Sequence, residues 1–139
     1  VRFELAATTF VYNGNRFALH LHPKVGKWLP PGGHVENHEL PHDAAIREVI
    51  EELGIVPKLF VFDEPSWGIQ TVPMPLAILV EPIDYEHSHI DMIYLATTDQ
   101  EKIYDPFIWV ALDEAVKLDA PEDVLRLAEK GLELIKNIY

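Results

Sequence analysis

Between Gly33 and Ile55 the chain sets Glu39, Arg47, Glu48, Glu51 and Glu52 at fixed offsets between two glycines, Gly33 and Gly54. Glu39 follows Gly33 after five residues, and seven more lead into Arg47-Glu48-Val49-Ile50-Glu51-Glu52-Leu53-Gly54-Ile55. The second half of this segment reads as a helix over Pro41–Leu53. Pro41 suits a first helical position, where its missing N–H has no partner to lose. Asp43 places a negative charge at the positive end of the helix dipole. Gly54 supplies a left-handed stop, and Ala45, Ile46, Val49, Ile50 and Leu53 recur as a buried stripe. Leu40 is a poor cap, which predicts a frayed or differently capped start.

At about 100° per residue, Glu48, Glu51 and Glu52 fall in one wedge on the side away from that stripe. Like charges three and four apart each cost a helix about 0.2–0.5 kcal/mol, and Arg47 is the one full cation on the helix. A solvated acidic face would need neither a glycine turn nor an arginine at set offsets. A divalent cation explains both. Mg²⁺ or Mn²⁺ takes carboxylate, carbonyl and water oxygens in near-octahedral geometry, and a carbonyl at Gly32 or Gly33 would complete the set.

Composition narrows the partners. A chain of 139 residues and 15.9 kDa is expected to form a single domain over residues 1–139. No apolar run approaches the roughly 18 residues of a membrane span, and no secretory leader is evident. Cysteine is absent, which excludes disulfides and thiol catalysis and suits a cytoplasmic protein. A net charge of −12 argues against a nucleic-acid polymer as partner. A small anionic substrate remains compatible, because a bound cation inverts the local field.

Along the chain, Phe3–Tyr12 reads as a strand and Asn13-Gly14 as a two-residue hairpin turn into Arg16–His22. A short strand is expected near Trp28-Leu29, with His34-Val35 after the proline–glycine loop. Further strands are expected at Lys58–Phe62, Trp67–Thr71, Leu76–Glu81, Ile90–Thr97 and Phe107–Ala111. A closing helix over Pro121–Ile138 shows the stripe Val124, Leu127, Ala128, Leu132, Ile135 and Ile138. Strands interleaved with two main helices predict an α/β/α sandwich around a mixed sheet.

The segment Gly33–Ile55 resembles the Nudix box of the Nudix hydrolase family, with every constrained position filled. Weaker echoes are Trp28-Leu29-Pro30-Pro31-Gly32 and Trp109-Val110-Ala111-Leu112-Asp113-Glu114-Ala115. The resemblance implies a Nudix-like α/β/α sandwich and Mg²⁺- or Mn²⁺-dependent hydrolysis of the pyrophosphate in a nucleoside diphosphate linked to another group. It implies Glu51 and Glu52 as principal metal ligands beside the Gly32 carbonyl, with Glu48 a further ligand or the base acting on water. Arg47 would orient that glutamate, while Gly33, Glu39 and Gly54 shape the box. The substrate stays open among a nucleoside triphosphate, ADP-ribose, a dinucleoside polyphosphate and a nucleotide sugar. A nucleotide-sensing module that has lost catalysis is the alternative, although it predicts decay at the glutamates and all are intact. Dimers are frequent in the family, and the apolar edge Pro73-Met74-Pro75-Leu76 could serve one.

Outside the box, His87-Ser88-His89-Ile90-Asp91 stands out. In a strand, His87, His89 and Asp91 share one face. Three readings compete: a transition-metal site that lacks a fourth ligand by spacing, polar residues on an edge strand, and contact with substrate oxygens. His34, directly after the glycines, is a candidate phosphate contact, and Trp67 a candidate base-stacking platform. Asp99, Glu101 and Asp105 lie in the Thr98–Pro106 connection, where Glu101 is the candidate loop carboxylate. Trp109 is expected in the core, and His20, His22, His38 and His42 in solvent.

Overall fold

The computed structural model describes residues 1–137. Its first two strands, β1 (Arg2–Asn13) and β2 (Arg16–Leu21), form the expected hairpin. Asn13 pairs with Arg16, so the turn is Gly14-Asn15, one residue later than expected, with Gly14 at φ 63°. Short strands β3 (Trp28–Leu29) and β4 (Gly32–His34) follow, then helix α1 (Pro41–Leu53). After β5 (Lys58–Leu59) come β6 (Ala77–Asp84), β7 (His87–Thr97) and β8 (Ile108–Val110). Helices α2 (Leu112–Lys117) and α3 (Glu122–Lys136) close the described chain.

β1 and β7 lie side by side and parallel at the centre of an eight-stranded mixed sheet, from Arg2↔His87 to Tyr12↔Thr97. Each then divides its outer edge between two partners. β1 pairs with β2 near its end and with β4 over Ala6–Thr8. β7 pairs with β6 over its first half and with β5 at Ala96–Thr97. The fork between β2 and β4 is the opening through which the glycine loop meets the sheet.

Alternation along the strands divides the core. Ala7, Val11, Ala18 and Tyr94 face α1, which buries Ala44, Ala45, Val49 and Leu53 against them. Phe10, Tyr12, Phe17, Leu19, Ile93 and Leu95 face α2 and α3. Helices therefore cover both faces, the expected α/β/α layering. On α3, a side chain at Gly131 would run into the Tyr12 hydroxyl, which donates to the Ala128 carbonyl at 2.8 Å.

Several expectations give way. Trp67–Thr71 is not a strand: Pro65, Pro73 and Pro75 withhold ladder donors around it and Gly68 sits at φ 76°. The expected Lys58–Phe62 strand shortens to two residues. Ile50 leaves the predicted stripe and is exposed, its place taken by Ala44. β7 begins at His87 rather than Ile90 and is no edge strand, being flanked by β1 and β6. α2 forms in a stretch to which no element had been assigned, its start held by the Glu114 carboxylate, which accepts the Ala111 N–H at 2.9 Å. Leu40 gives no side-chain cap, yet the helix starts cleanly as the Ala44 N–H reaches its carbonyl at 3.0 Å. Ile138 lies outside the described residues. No described helix is long and apolar enough to cross a membrane.

Candidate active site

β4 and α1 bring the conspicuous segment together at the fork. The Gly32 N–H donates to Glu52 Oε2 at 3.0 Å. A side chain on Gly33 would collide with the Glu48 carboxylate, and one on Gly32 with the Ala7 carbonyl. Glycine is required here because backbone and carboxylates share one small volume. Gly54, at φ 73°, ends the helix in the left-handed conformation, and its N–H reaches Ile50 O at 3.0 Å.

Arg47 organises this cluster. Its Nε and one terminal nitrogen grip both Glu39 oxygens, at 3.0 and 2.7 Å. The other terminal nitrogen donates to Glu48 Oε1 at 2.9 Å and approaches Glu51 at 3.4 Å, and a further bond reaches the His34 carbonyl at 3.0 Å. Glu39 in turn accepts the Glu36 N–H at 2.9 Å, closing the turn ahead of the helix. The guanidinium bonds hold the Glu39 carboxyl down at about 2. Burial, opposed by Arg47, leaves Glu48 raised. Burial and the neighbouring Glu48 charge push Glu52 up to about 7. The charge is undercompensated: one guanidinium spends its paired bonds on Glu39, and Glu52 lacks an arginine bond. Glu48, Glu51 and Glu52 beside a backbone loop are an all-oxygen, anion-rich donor set that fits a hard divalent cation.

Glu52 and the two glycines form one rim of a cleft of about 240 Å³ that runs under α3. Its floor holds a second acidic group. Asp91, buried on β7, accepts the Thr8 hydroxyl at 2.8–2.9 Å and is hydrogen-bonded to Glu81 of β6. Burial and the Asp91 charge raise Glu81 to about 8, and burial also raises Asp91. Two carboxyls that hydrogen-bond each other in a buried site favour holding one proton between them. Leu29, Leu79, Ile93 and Leu127 supply apolar wall, and Asp123 stands at the mouth on α3.

At the end of the cleft nearest the start of β1, three imidazoles and one carboxylate meet. His34 Nε2 lies 3.1 Å from His89 Nε2 and 3.4 Å from Glu4 Oε2, and His87 Nε2 lies 2.8 Å from Glu4 Oε1. Burial and the two neighbouring imidazoles lower the pKa of His89.

Gly32, Gly33, His34, Glu52 and His89 line the cleft, Glu39, Glu48 and Glu51 are tied beside them through Arg47, and His87 reaches the cluster through Glu4. Trp67 does not join them: it is 70% exposed and lies outside the cleft lining. Glu101 is engaged elsewhere, 2.6 Å from Arg16 and 3.3 Å from Asn13 at the far end of β1. Trp109 is half-buried on the α1-side core and donates to the Glu101 carbonyl at 2.7 Å. His20 is not solvated but stacks on Phe107 at 4.1 Å, and with His22 it lines the cleft. His38 is exposed, whereas His42 is half-buried with Nδ1 unbonded. Sequence reasoning missed Glu4, Thr8, Glu81 and Asp123. Glu4, Thr8 and Glu81 are ordinary polar strand residues whose neighbours only strand register reveals, and Asp123 reaches the cleft through the packing of α3 on the sheet.

Comparison with known proteins accords with this geometry. The family description NUDIX domain matches residues 2–130. A probable DHNTP pyrophosphohydrolase from Lactococcus lactis subsp. cremoris (strain MG1363) is 30% identical over 115 residues, 81% of this chain and 66% of that protein. An m7GpppN-mRNA hydrolase from Bos taurus is 26% identical over 115 residues, 76% of this chain and 37% of that one. The chain thus spans less than two thirds of the length of either relative. A NUDIX-family hydrolase from Clostridium perfringens superposes with a TM-score of 0.84 at 28% identity, covering 97% of this chain and 99% of that one. An Ap4A hydrolase from C. elegans shares the fold at a TM-score of 0.64 and 24% identity, over 97% and 96% of the two chains. With the family match running through both central strands, the glycine loop, α1 and α2 and into α3, the chain belongs to the Nudix hydrolase family.

Proposed function

We propose that this protein is a divalent-metal-dependent pyrophosphohydrolase acting on a nucleoside diphosphate linked to a further group. The observation that carries the reading is the meeting of Glu48 and Glu52 with the Gly32-Gly33 backbone, held by Arg47 at the rim of a cleft. Glu48, Glu51, Glu52 and the Gly32 carbonyl would hold Mg²⁺ or Mn²⁺. Such a cation neutralises phosphate charge and lowers the pKa of bound water.

The protein's own groups then have distinct tasks. Arg47 fixes the Glu48 carboxylate in one orientation, so that it can accept a proton from the attacking water. Glu39 holds Arg47 from behind and is one step removed from the chemistry. Gly32 and Gly33 keep the phosphate entrance free of side chains. The cleft beyond them, with its apolar walls and the protonated Glu81–Asp91 pair, receives the part of the substrate remote from the pyrophosphate. Its carboxyl pair offers one donor and several acceptors, which suits a polar heterocycle edge. Compounds of the class named in the relatives, DHNTP and Ap4A, are natural members of a first panel, beside nucleoside triphosphates, ADP-ribose and nucleotide sugars.

The experiment is metal-dependent release of phosphate or nucleotide across that panel, repeated with Glu52→Gln. Turnover with Mg²⁺ or Mn²⁺ that Glu52→Gln abolishes is expected. Nucleotide binding without turnover by any substrate, in either metal, would instead make the chain a nucleotide-sensing module.

A further inference from the structure

The imidazole cluster at the start of β1 has a geometry that the hydrolytic reading leaves unused. Three adjacent strands build it. The parallel register sets Glu4 opposite His89 and Arg2 opposite His87, while the antiparallel register of β4 sets His34 opposite Ala6. Alternation puts Glu4 and Ala6 on one face of β1, and His87 and His89 on the same face of β7. Four potential ligands from distant parts of the sequence therefore project from one patch of sheet. The row His87-His89-Asp91 alone lacks ligands, and Asp91 is taken by Thr8 and Glu81. His34 and Glu4 supply what the row lacks.

From these observations we propose that His34, His87, His89 and Glu4 form a second metal site, specific for a borderline transition cation of the Zn²⁺ class and separate from the carboxylates of α1.

Distances support it. The ligand nitrogens of the three histidines lie within 4.8 Å of one another. The observed separations are 3.1 Å between His34 and His89, 3.4 Å between His34 and Glu4 Oε2 and 2.8 Å between His87 and Glu4 Oε1, at or slightly inside a tetrahedral edge. Four ligands about 2.0–2.1 Å from a tetrahedral Zn²⁺ stand about 3.3–3.4 Å apart. The rings meet edge to face rather than stacked, at 4.8 Å for His34 with His89 and 5.1 Å for His87 with His89. His87 Nε2 is shielded from solvent and makes no well-directed hydrogen bond, although Glu4 lies close to it. A ligand bond to a cation would satisfy it.

The donor chemistry separates this site from the one on α1. Imidazole nitrogen favours Zn²⁺, Cu²⁺ or Ni²⁺, whereas the all-oxygen set favours Mg²⁺ or Mn²⁺. The Glu4 carboxylate weighs against an anion such as phosphate as the natural occupant. Arg2 also touches Glu4, at 3.0 Å, but its side chain is 73% exposed and can swing into solvent when the carboxylate turns to a cation.

The test uses the full chain, free of any affinity tag, stripped with chelator and then held in excess Mg²⁺ so that the oxygen site is filled. Zn²⁺ alone is titrated by calorimetry, and Co²⁺ alone is followed by its visible absorption, which is intense only in tetrahedral sites. One equivalent of each is expected to bind, with a tetrahedral Co²⁺ spectrum. His89→Ala and His87→Ala should each weaken binding at least about 100-fold, and Glu52→Gln should leave it unchanged. His34→Gln, at a half-exposed side chain, gives the same test where the buried variants fold poorly, with thermal unfolding as the check. Absence of Zn²⁺ binding in the presence of Mg²⁺ overturns the proposal. So does binding that survives all three histidine variants but disappears with Glu52→Gln. Neither readout depends on hydrolysis, so this proposal and the hydrolytic one fail separately.

Discussion

Two acidic groups share the cleft and handle their charge in opposite ways. On α1, Glu48, Glu51 and Glu52 crowd together with one guanidinium, and Glu39 takes its paired bonds. On the floor, Asp91 accepts the Thr8 hydroxyl and is hydrogen-bonded to Glu81, an arrangement that favours one proton between the two carboxyls. The first group keeps its charge open toward a region where a cation would relieve it. The second quenches its own charge and becomes a hydrogen-bonding surface. Under the proposed reading, the first group would take the cation beside a phosphate chain and the second would meet the remote, polar part of the substrate.

The comparison breaks if the α1 carboxylates prove ordinary. Glu51→Gln or Glu52→Gln is expected to lower kcat by at least about 100-fold with the fold intact, measured as metal-dependent turnover. Glu52→Gln should also stabilise the metal-free protein above pH 7. The sign follows from the direction of the shift. A carboxyl raised to about 7 binds its proton more tightly when folded, so its contribution is fully present below the unfolded value and lost as pH rises toward 7. After allowance for solvent screening the gain is on the order of 1 kcal/mol. A wild-type protein as stable at pH 8 as its Gln variant, both without metal, would mean that the α1 charges are compensated after all.

Arg47→Lys asks whether the fork geometry, rather than the charge, holds the rim. Lysine keeps one positive charge but cannot grip both Glu39 oxygens and Glu48 at once. An activity loss of about 10–100-fold is expected, falling mainly on kcat because Glu48 loses its fixed orientation. An unchanged kcat with a raised KM would place Arg47 with substrate binding instead.

How much of this was legible beforehand depended on sequence distance. The α1 group lies within one contiguous segment, so helical period converted spacing directly into geometry, and Gly33 and Gly54 marked its two ends. The floor and the imidazole cluster could not be read that way. Glu81 meets Asp91 through an antiparallel register, and Glu4 meets His89 through a parallel one, neither of which leaves a periodic trace. The polar start His87-Ser88-His89 suggested an edge strand, yet β1 and β6 flank it and Ser88 is 7% exposed. Trp67–Thr71 has strand-forming residues but sits among prolines that deny it a partner, so local propensity lost to the missing donors.

The floor makes a smaller and more specific prediction. Glu81→Gln imitates a protonated carboxyl, the form that burial and the Asp91 charge favour, so it should be nearly silent at pH 5. In the wild type, stability should fall as pH rises from the unfolded carboxyl value toward about 8 and then level off, because the folded state binds the extra proton throughout that window. The slope should stay below about 1.4 kcal/mol per pH unit once solvent screening is included. Thermal unfolding of both proteins across this range should show curves that diverge upward in pH, with the variant the flatter. Parallel curves would mean that Glu81 and Asp91 do not share a proton.

Glu101→Gln should do least. Its carboxylate pairs with Arg16 and Asn13, and both partners of the ion pair are substantially exposed, so solvent screens the interaction. The contact lies at the end of β1, five residues beyond Thr8, which pairs with Gly32, and that is about 17 Å at roughly 3.3 Å per strand residue. A change of less than about 0.5 kcal/mol in stability and no change in kcat are expected. A large loss of kcat would mean that the Thr98–Pro106 loop leaves Arg16 and carries Glu101 to the α1 carboxylates when substrate binds, and the contrast between a locally encoded site and a register-built floor would then need a third, mobile contributor.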